Sequence, residues 1–200
     1  MMSAGVRDRM VAGAVKLLAK HGLQATSFST VLAEAKAPRG SIYHHFPGGK
    51  DELVAAAIAA TEQHALGLLD QQPGASAVVV AQSFLGAWRA LLTFGRFDAG
   101  CALVAVTIAA ENPGQRERTA QAFTAWQQKL AAALRAGGLG AGDAEQAAAL
   151  LLAASEGAVV ICRAQQDVRY FDIVAAQLLD HVRALPGASG SGPPEESAGS

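Results

Sequence analysis

Between Pro38 and Phe46 the chain sets Arg39, Gly40, Ser41, Tyr43 and His44 within six positions. A cation, a residue small enough for close approach and three hydrogen-bonding side chains are the groups that phosphates and base edges demand. So many donors on so short a segment point to recognition of a polyanion rather than to a solvated surface. The adjacent His44 and His45 would point about 100° apart on a helix and chelate a metal poorly. No G-x-S-x-G, P-loop or H-E-x-x-H run is present, and no carboxylate pair or His/Cys group stands at metal spacing. The sequence therefore predicts no catalysis and calls for no cofactor.

The elements that must carry these residues follow from spacing and punctuation. Val6, Met10, Ala14, Leu17 and Leu18 form one stripe of a first helix over Ala4 to His21, closed by Gly22. Arg9, Lys16 and Lys20 lie on another of its faces, open to phosphates or simply to water. Ser27 is placed to cap a short second helix, Phe28 to Ala35. After the turn at Lys36-Ala37, Pro38 suits the first position of a third helix that cannot pass Pro47-Gly48-Gly49. Two short helices joined by a tight turn, with a helix behind them, outline a helix-turn-helix unit. Lys50 opens a long fourth helix; a cation there is mildly unfavourable and invites an external anion such as a phosphate.

Further helices are predicted over Ser76 to Phe94, Cys101 to Ala110, Gln115 to Ala136, Asp143 to Gln165 with Asp143 as its cap, and Arg169 to Leu185, about nine in all. The expected architecture is all-α. It divides into residues 1–50, a helix-turn-helix head; residues 51–185, a helical body; and a Gly, Ser, Pro and Glu tail over 186–200 that cannot bury enough to order itself.

Composition agrees. Of the 200 residues 51% are hydrophobic, but 45 are alanine and only 6% aromatic, which favours helices over a sandwich or barrel. The net charge of −1 hides a split: residues 1–52 hold seven basic against four acidic residues, the rest nine against thirteen. One end is thus suited to a polyanion. The N-terminal residues lack the apolar stretch of a signal peptide, and the run Ala147 to Cys162 is broken by Ser155 and Glu156, so no membrane span is expected. Cys101 and Cys162 are too few and too far apart for a disulfide framework and are expected as buried free thiols in a cytoplasmic protein.

The run Gly40-Ser41-Ile42-Tyr43-His44-His45-Phe46, followed by Lys50-Asp51-Glu52-Leu53, resembles the end of the DNA-binding domain of TetR-family transcriptional repressors. Gly22, Thr26-Ser27 and the turn through Arg39 fall at that family's spacings, so the resemblance covers about residues 6 to 53. The extra residue in Pro47-Gly48-Gly49, the run Gly100-Cys101-Ala102-Leu103 and the later Ala-rich helices are similar to the branch with an LmrA/YxaF-like C-terminal domain. Lys36 departs from the pattern, standing where the family usually has glycine in a left-handed turn.

The resemblance implies a homodimeric repressor whose two heads read a pseudo-palindromic double-stranded operator. Thr26 and Ser27 would contact phosphate at the start of helix two. Arg39, Gly40 and Ser41 would approach base edges or the adjacent backbone, Tyr43 and His44 would hold phosphates, and Lys50 would bind one from helix four, while His45 and Phe46 pack. A dimer surface is expected on the last two helices at Leu151, Ala154, Gly157, Ala158, Ile161, Tyr170, Leu178 and Val182. Helices five to eight would enclose a pocket for an apolar or aromatic effector, with Phe84, Trp88, Phe94, Phe97, Phe123 and Trp126 as candidate walls and Glu156 or His64 as polar contacts. The alternative is a helical ligand-binding or protein-interaction module without operator binding, which the near-neutral charge permits.

Overall fold

The computed structural model describes residues 5–70 and 73–189. Among these residues there are nine α-helices and no strands: α1 (Val6–Ala25), α2 (Phe28–Ala35), α3 (Ile42–His45), α4 (Lys50–Leu69), α5 (Ala77–Phe94), α6 (Ala102–Ala109), α7 (Pro113–Ala136), α8 (Ala141–Gln165) and α9 (Arg169–Ala184). The first three form the head. α1 packs on α2 and α4, and also on α6 of the body; α4 lies along α7, which continues the stack to α8 and α9, with α5 laid across the last three.

Helix boundaries are set by caps. Ser27 accepts from the Thr30 backbone N–H at 3.2 Å while Thr30 Oγ1 accepts from the Ser27 backbone N–H at 2.9 Å, a reciprocal capping box. A Ser27→Ala chain is expected to lose about 1 kcal/mol of stability in urea unfolding, the usual value of such a cap. At Gly22 the backbone turns to φ +80°, which ends the regular winding of α1 where the sequence predicts it. Lys36 adopts the left-handed conformation, φ 48°, and the Lys36 and Ala37 amides bond back to Ala33 and Leu32, closing α2 without a glycine.

Two expected helix starts differ, and a third lies two residues earlier. Pro38 is the residue before a 3₁₀ turn, Arg39–Ser41, rather than the first residue of an α-helix, and only Ile42–His45 are α-helical. α7, expected from Gln115, begins at Pro113, with Asn112 capping it through Gln115. α8 starts at Ala141 after Gly140, so Asp143 lies inside its first turn instead of capping it. The expected tail begins as an ordered turn: the Ala188 carbonyl accepts from the Val78 N–H at 3.3 Å and its side chain is buried. The rest of that tail, 190–200, lies outside the described residues, as do Ala4, Gln71 and Gln72.

α5 and α8 are long and apolar enough to cross a membrane by length and composition. Their apolar stripes are spent within the fold: Val80, Leu85, Trp88 and Leu92 of α5, and Leu151, Leu152, Ala158 and Val159 of α8, are buried in the core.

Candidate nucleic-acid interface and ligand cavity

The head presents one polar edge. Arg39, Gly40, Tyr43 and His44 are exposed, and nothing lies within 4 Å of the place a Cβ on Gly40 would take. Tyr43 is 69% exposed, yet its ring is seated edge-on against Phe28 at 5.6 Å, so its hydroxyl is held outward at low entropic cost. Beneath this edge Ile42 and Phe46 are buried, and the Arg7 guanidinium lies 5.2 Å from the Phe46 ring centre. Ser41 is half-buried, and its hydroxyl donates to the Pro38 carbonyl at 2.6 Å, bracing the turn. His45 is half-buried against His44.

Other expected contacts are placed differently. Thr26 is 1% exposed and its hydroxyl donates to the Gly22 carbonyl at 2.8 Å, so it braces the end of α1 and offers nothing to a phosphate. Ser27 is half-buried within its capping box; Ser29, 2.9 Å from Ser27 Oγ, and Thr30 are the exposed hydroxyl residues of that turn, and Ser29, in the first turn of the helix, was missed by sequence reasoning. The basic face of α1 is engaged within the chain: Lys16 pairs with Glu34 at the surface, Lys20 with Asp98 at 3.4 Å, and Arg9 Nε donates to the Ala35 carbonyl. Lys50 stands 3.4 Å from Glu111, and beside it Asp51 accepts from Asn112 and the buried Gln115. These bonds tie the start of α4 to the α6–α7 junction.

A cavity of about 370 Å³ lies between head and body. Phe84, Trp88, Trp126 and His64 line it, as expected, but its walls also include Val15 and Ala19 of α1 and Ala60, Thr61 and Leu68 of α4, so it is not enclosed by helices five to eight alone. Three expected wall residues are elsewhere. Phe94 is 89% exposed because α5 ends there and turns its last residue to solvent. Phe97 faces a separate cleft with Lys20, His21 and Arg163. Phe123 stands edge-on to Trp126 at 6.1 Å and is not part of the lining.

Glu156 is one turn beyond the lining residue Leu152 on α8 and lies beside the thiol of Cys101, which does line the cavity, while Glu156 itself is not part of the lining. Burial pushes its carboxyl up to about 7, and burial with Glu156 alongside pushes the Cys101 thiol well up, so this sulfur is not a reactive thiolate. Glu156 Oε1 and Trp126 Nε1 are buried without a partner among the described residues. A carboxyl held more basic in the fold than in the unfolded chain is most stabilising when protonated. Stability should therefore fall as pH rises from about 4.5 through about 7. Glu156→Gln removes that slope, with the variant gaining up to about 3 kcal/mol on the wild type between pH 4.5 and 8 in urea melts.

Four of the expected dimer residues, Leu151, Ala158, Leu178 and Val182, are buried in the chain's own core and leave nothing for a partner. Ala154 and Ile161 are half-buried. The open face runs instead through Leu150, Ala153, Gly157 and Val160 of α8 and Tyr170 and Ile173 of α9; Val160 is 55% and Ile173 65% exposed. Only Gly157 and Tyr170 belong to both sets. Alanine-rich α8 is apolar on most of its circumference, so its sequence does not mark which stripe turns inward.

Residues 10–57 match the family model of bacterial regulatory proteins, tetR family, and residues 77–177 that of the transcriptional regulator LmrA/YxaF-like C-terminal domain. Over 181 residues, 87% of this chain and 92% of the relative, the sequence is 33% identical to the uncharacterized HTH-type transcriptional regulator Rv0196 of Mycobacterium tuberculosis. It is 25% identical over 176 residues, 86% and 92% of the two chains, to the HTH-type transcriptional regulator YxaF of Bacillus subtilis. In structure it is similar to a TetR regulator from Rhodobacter sphaeroides (TM-score 0.79, 20% identity, 88% of this chain and 98% of that one) and one from Legionella pneumophila (0.76, 20%, 89% and 97%).

Proposed function

Because the chain belongs to the TetR family of bacterial transcriptional regulators, we propose that it is a ligand-responsive repressor of the cytoplasm. Two copies pair through the open face of α8 and α9 and set their heads into successive major grooves of a pseudo-palindromic operator. A small apolar or aromatic effector occupies the cavity and releases the DNA. The observation that carries this reading is the solvent-facing edge of Arg39, Gly40, Tyr43 and His44, beside which the Thr26 hydroxyl is already bonded within the chain and Lys16 is paired with Glu34. Arg39 is the side chain suited to a bidentate guanine contact, with Tyr43 and His44 on phosphates. The cavity supports the second half: it is mostly apolar, large enough for a small aromatic molecule, and lined by Trp126, whose indole N–H has no partner among the described residues. An effector that binds better to the arrangement with misplaced heads lowers operator affinity by that difference.

Fluorescence anisotropy with duplexes from upstream of the protein's own gene, and with duplexes selected from a randomised pool, tests the reading. Binding is expected to be sequence-specific and to weaken steeply with salt, with a log–log slope of about −5 if some six phosphates are neutralised. A folded chain that selects no duplex at low salt is instead a helical binding module without an operator.

A further inference from the structure

The C-terminal end of α1 is closed by groups from the body. Gly22 breaks the helix, so the carbonyls of Ala19 and Lys20 lose the amides of Leu23 and Gln24 that an unbroken helix would supply. The Gly100 N–H donates to the Ala19 carbonyl at 2.9 Å, and Arg163 Nη2, from the end of α8, reaches the Lys20 carbonyl at 3.4 Å. The same guanidinium donates to the carbonyls of Asp98 at 3.0 Å and Phe97 at 3.3 Å. It thus holds the loop between α5 and α6 against the head. That loop contains two consecutive non-glycine residues in the left-handed region, Arg96 at φ 48° and Phe97 at φ 60°, a conformation that persists only where the surroundings impose it. A Cβ at Gly100 would stand 2.7 Å from Arg163 Nη1, so any side chain there displaces the guanidinium. Ala19, Gly100 and Cys101 also line the cavity, so both partners of the Gly100–Ala19 hydrogen bond stand in its wall.

We propose that Arg163 and Gly100 form a cap in trans on α1 that sets the angle of the head, and that this cap is the joint through which the occupant of the cavity moves it. Arg163 is a positioning residue, acting on DNA only through α1 and the α2 packed against it. The proposal rests on the operator-binding reading for its effect on DNA, but the cap itself can be measured without DNA.

The test uses the full chain with Arg163→Met, which keeps the stem and removes the donors, and Gly100→Ala, which keeps every donor but displaces the guanidinium. Arg163→Lys serves as partial rescue. Hydrogen exchange of the peptide spanning residues 95–102 should quicken about tenfold in the first two, and their affinity for a selected duplex should fall about tenfold, within the usual range of coupling between sites. The thermal midpoint should move by only a few degrees, and Arg163→Lys should recover part of both losses. Unchanged exchange in Arg163→Met and Gly100→Ala overturns the cap. Quickened exchange with duplex affinity within twofold of wild type overturns the joint. Exchange that quickens throughout the chain, with no recovery in Arg163→Lys, marks Arg163 as a general stabiliser and overturns it too. A wild-type chain that binds no duplex overturns the operator reading, and the joint with it, while the exchange result still decides the cap.

Discussion

A Val160→Glu chain should sediment as a folded monomer at micromolar concentration and bind the operator about 100-fold to 10,000-fold more weakly than wild type, the range by which joining two binding modules exceeds one. Val160 is 55% exposed in the single chain, so the carboxylate costs the protomer's own core little. In the proposed dimer it would stand among Leu150, Gly157 and Ile173, where burying an unpaired charge is expensive. The same change at Leu151, a core residue, would instead unfold the chain. The pair of variants therefore separates assembly from folding: unfolding by Leu151→Glu alone, and dissociation without unfolding by Val160→Glu. A Val160→Glu chain that remains dimeric moves the interface elsewhere.

Arg39→Ala should lower affinity for the cognate duplex by about tenfold to a hundredfold per head, since a bidentate contact to guanine discriminates by roughly 1 to 3 kcal/mol. Its affinity for unrelated duplexes should change much less. His44→Ala should weaken both classes alike, as expected for a phosphate contact. Tyr43→Phe keeps the edge-on contact with Phe28 and removes only the hydroxyl, so it isolates that group's hydrogen bond from the seating of the ring. Competition binding with cognate and scrambled duplexes distinguishes these outcomes. Equal losses on both duplexes for Arg39→Ala would remove it from base recognition.

Much of the head is legible in its sequence because its signals are local. The Ser27 cap lies three residues from the amide that donates to it, Gly22 ends its own helix, and the Pro38–Phe46 run can put its polar side only outward once Ile42 and Phe46 turn in. Thr26 is misread for an equally local reason: its hydroxyl has a carbonyl four residues back, at Gly22, and a side chain satisfied there is lost to a ligand. Partners far apart in sequence are not legible. Lys20 pairs with Asp98 across the head–body junction, and Arg163 reaches a carbonyl of α1 from the far end of α8. The cavity shares this property, since Val15 and Ala19 enter its wall only through the crossing of α1 and α6. In α8, Leu150 and Leu151 are equally apolar neighbours about 100° apart around the helix, and only the packing of α7 and α9 decides which is core.

Hydroxyl-radical footprinting of the wild-type chain on a selected duplex tests most directly whether duplicated heads read DNA. Two protected patches related by a dyad and centred about one helical turn, roughly 34 Å, apart or a small multiple of it are expected, both vanishing together in Arg39→Ala at matched concentration. A single patch without a dyad, or protection that survives the loss of Arg39 unchanged, would contradict the account.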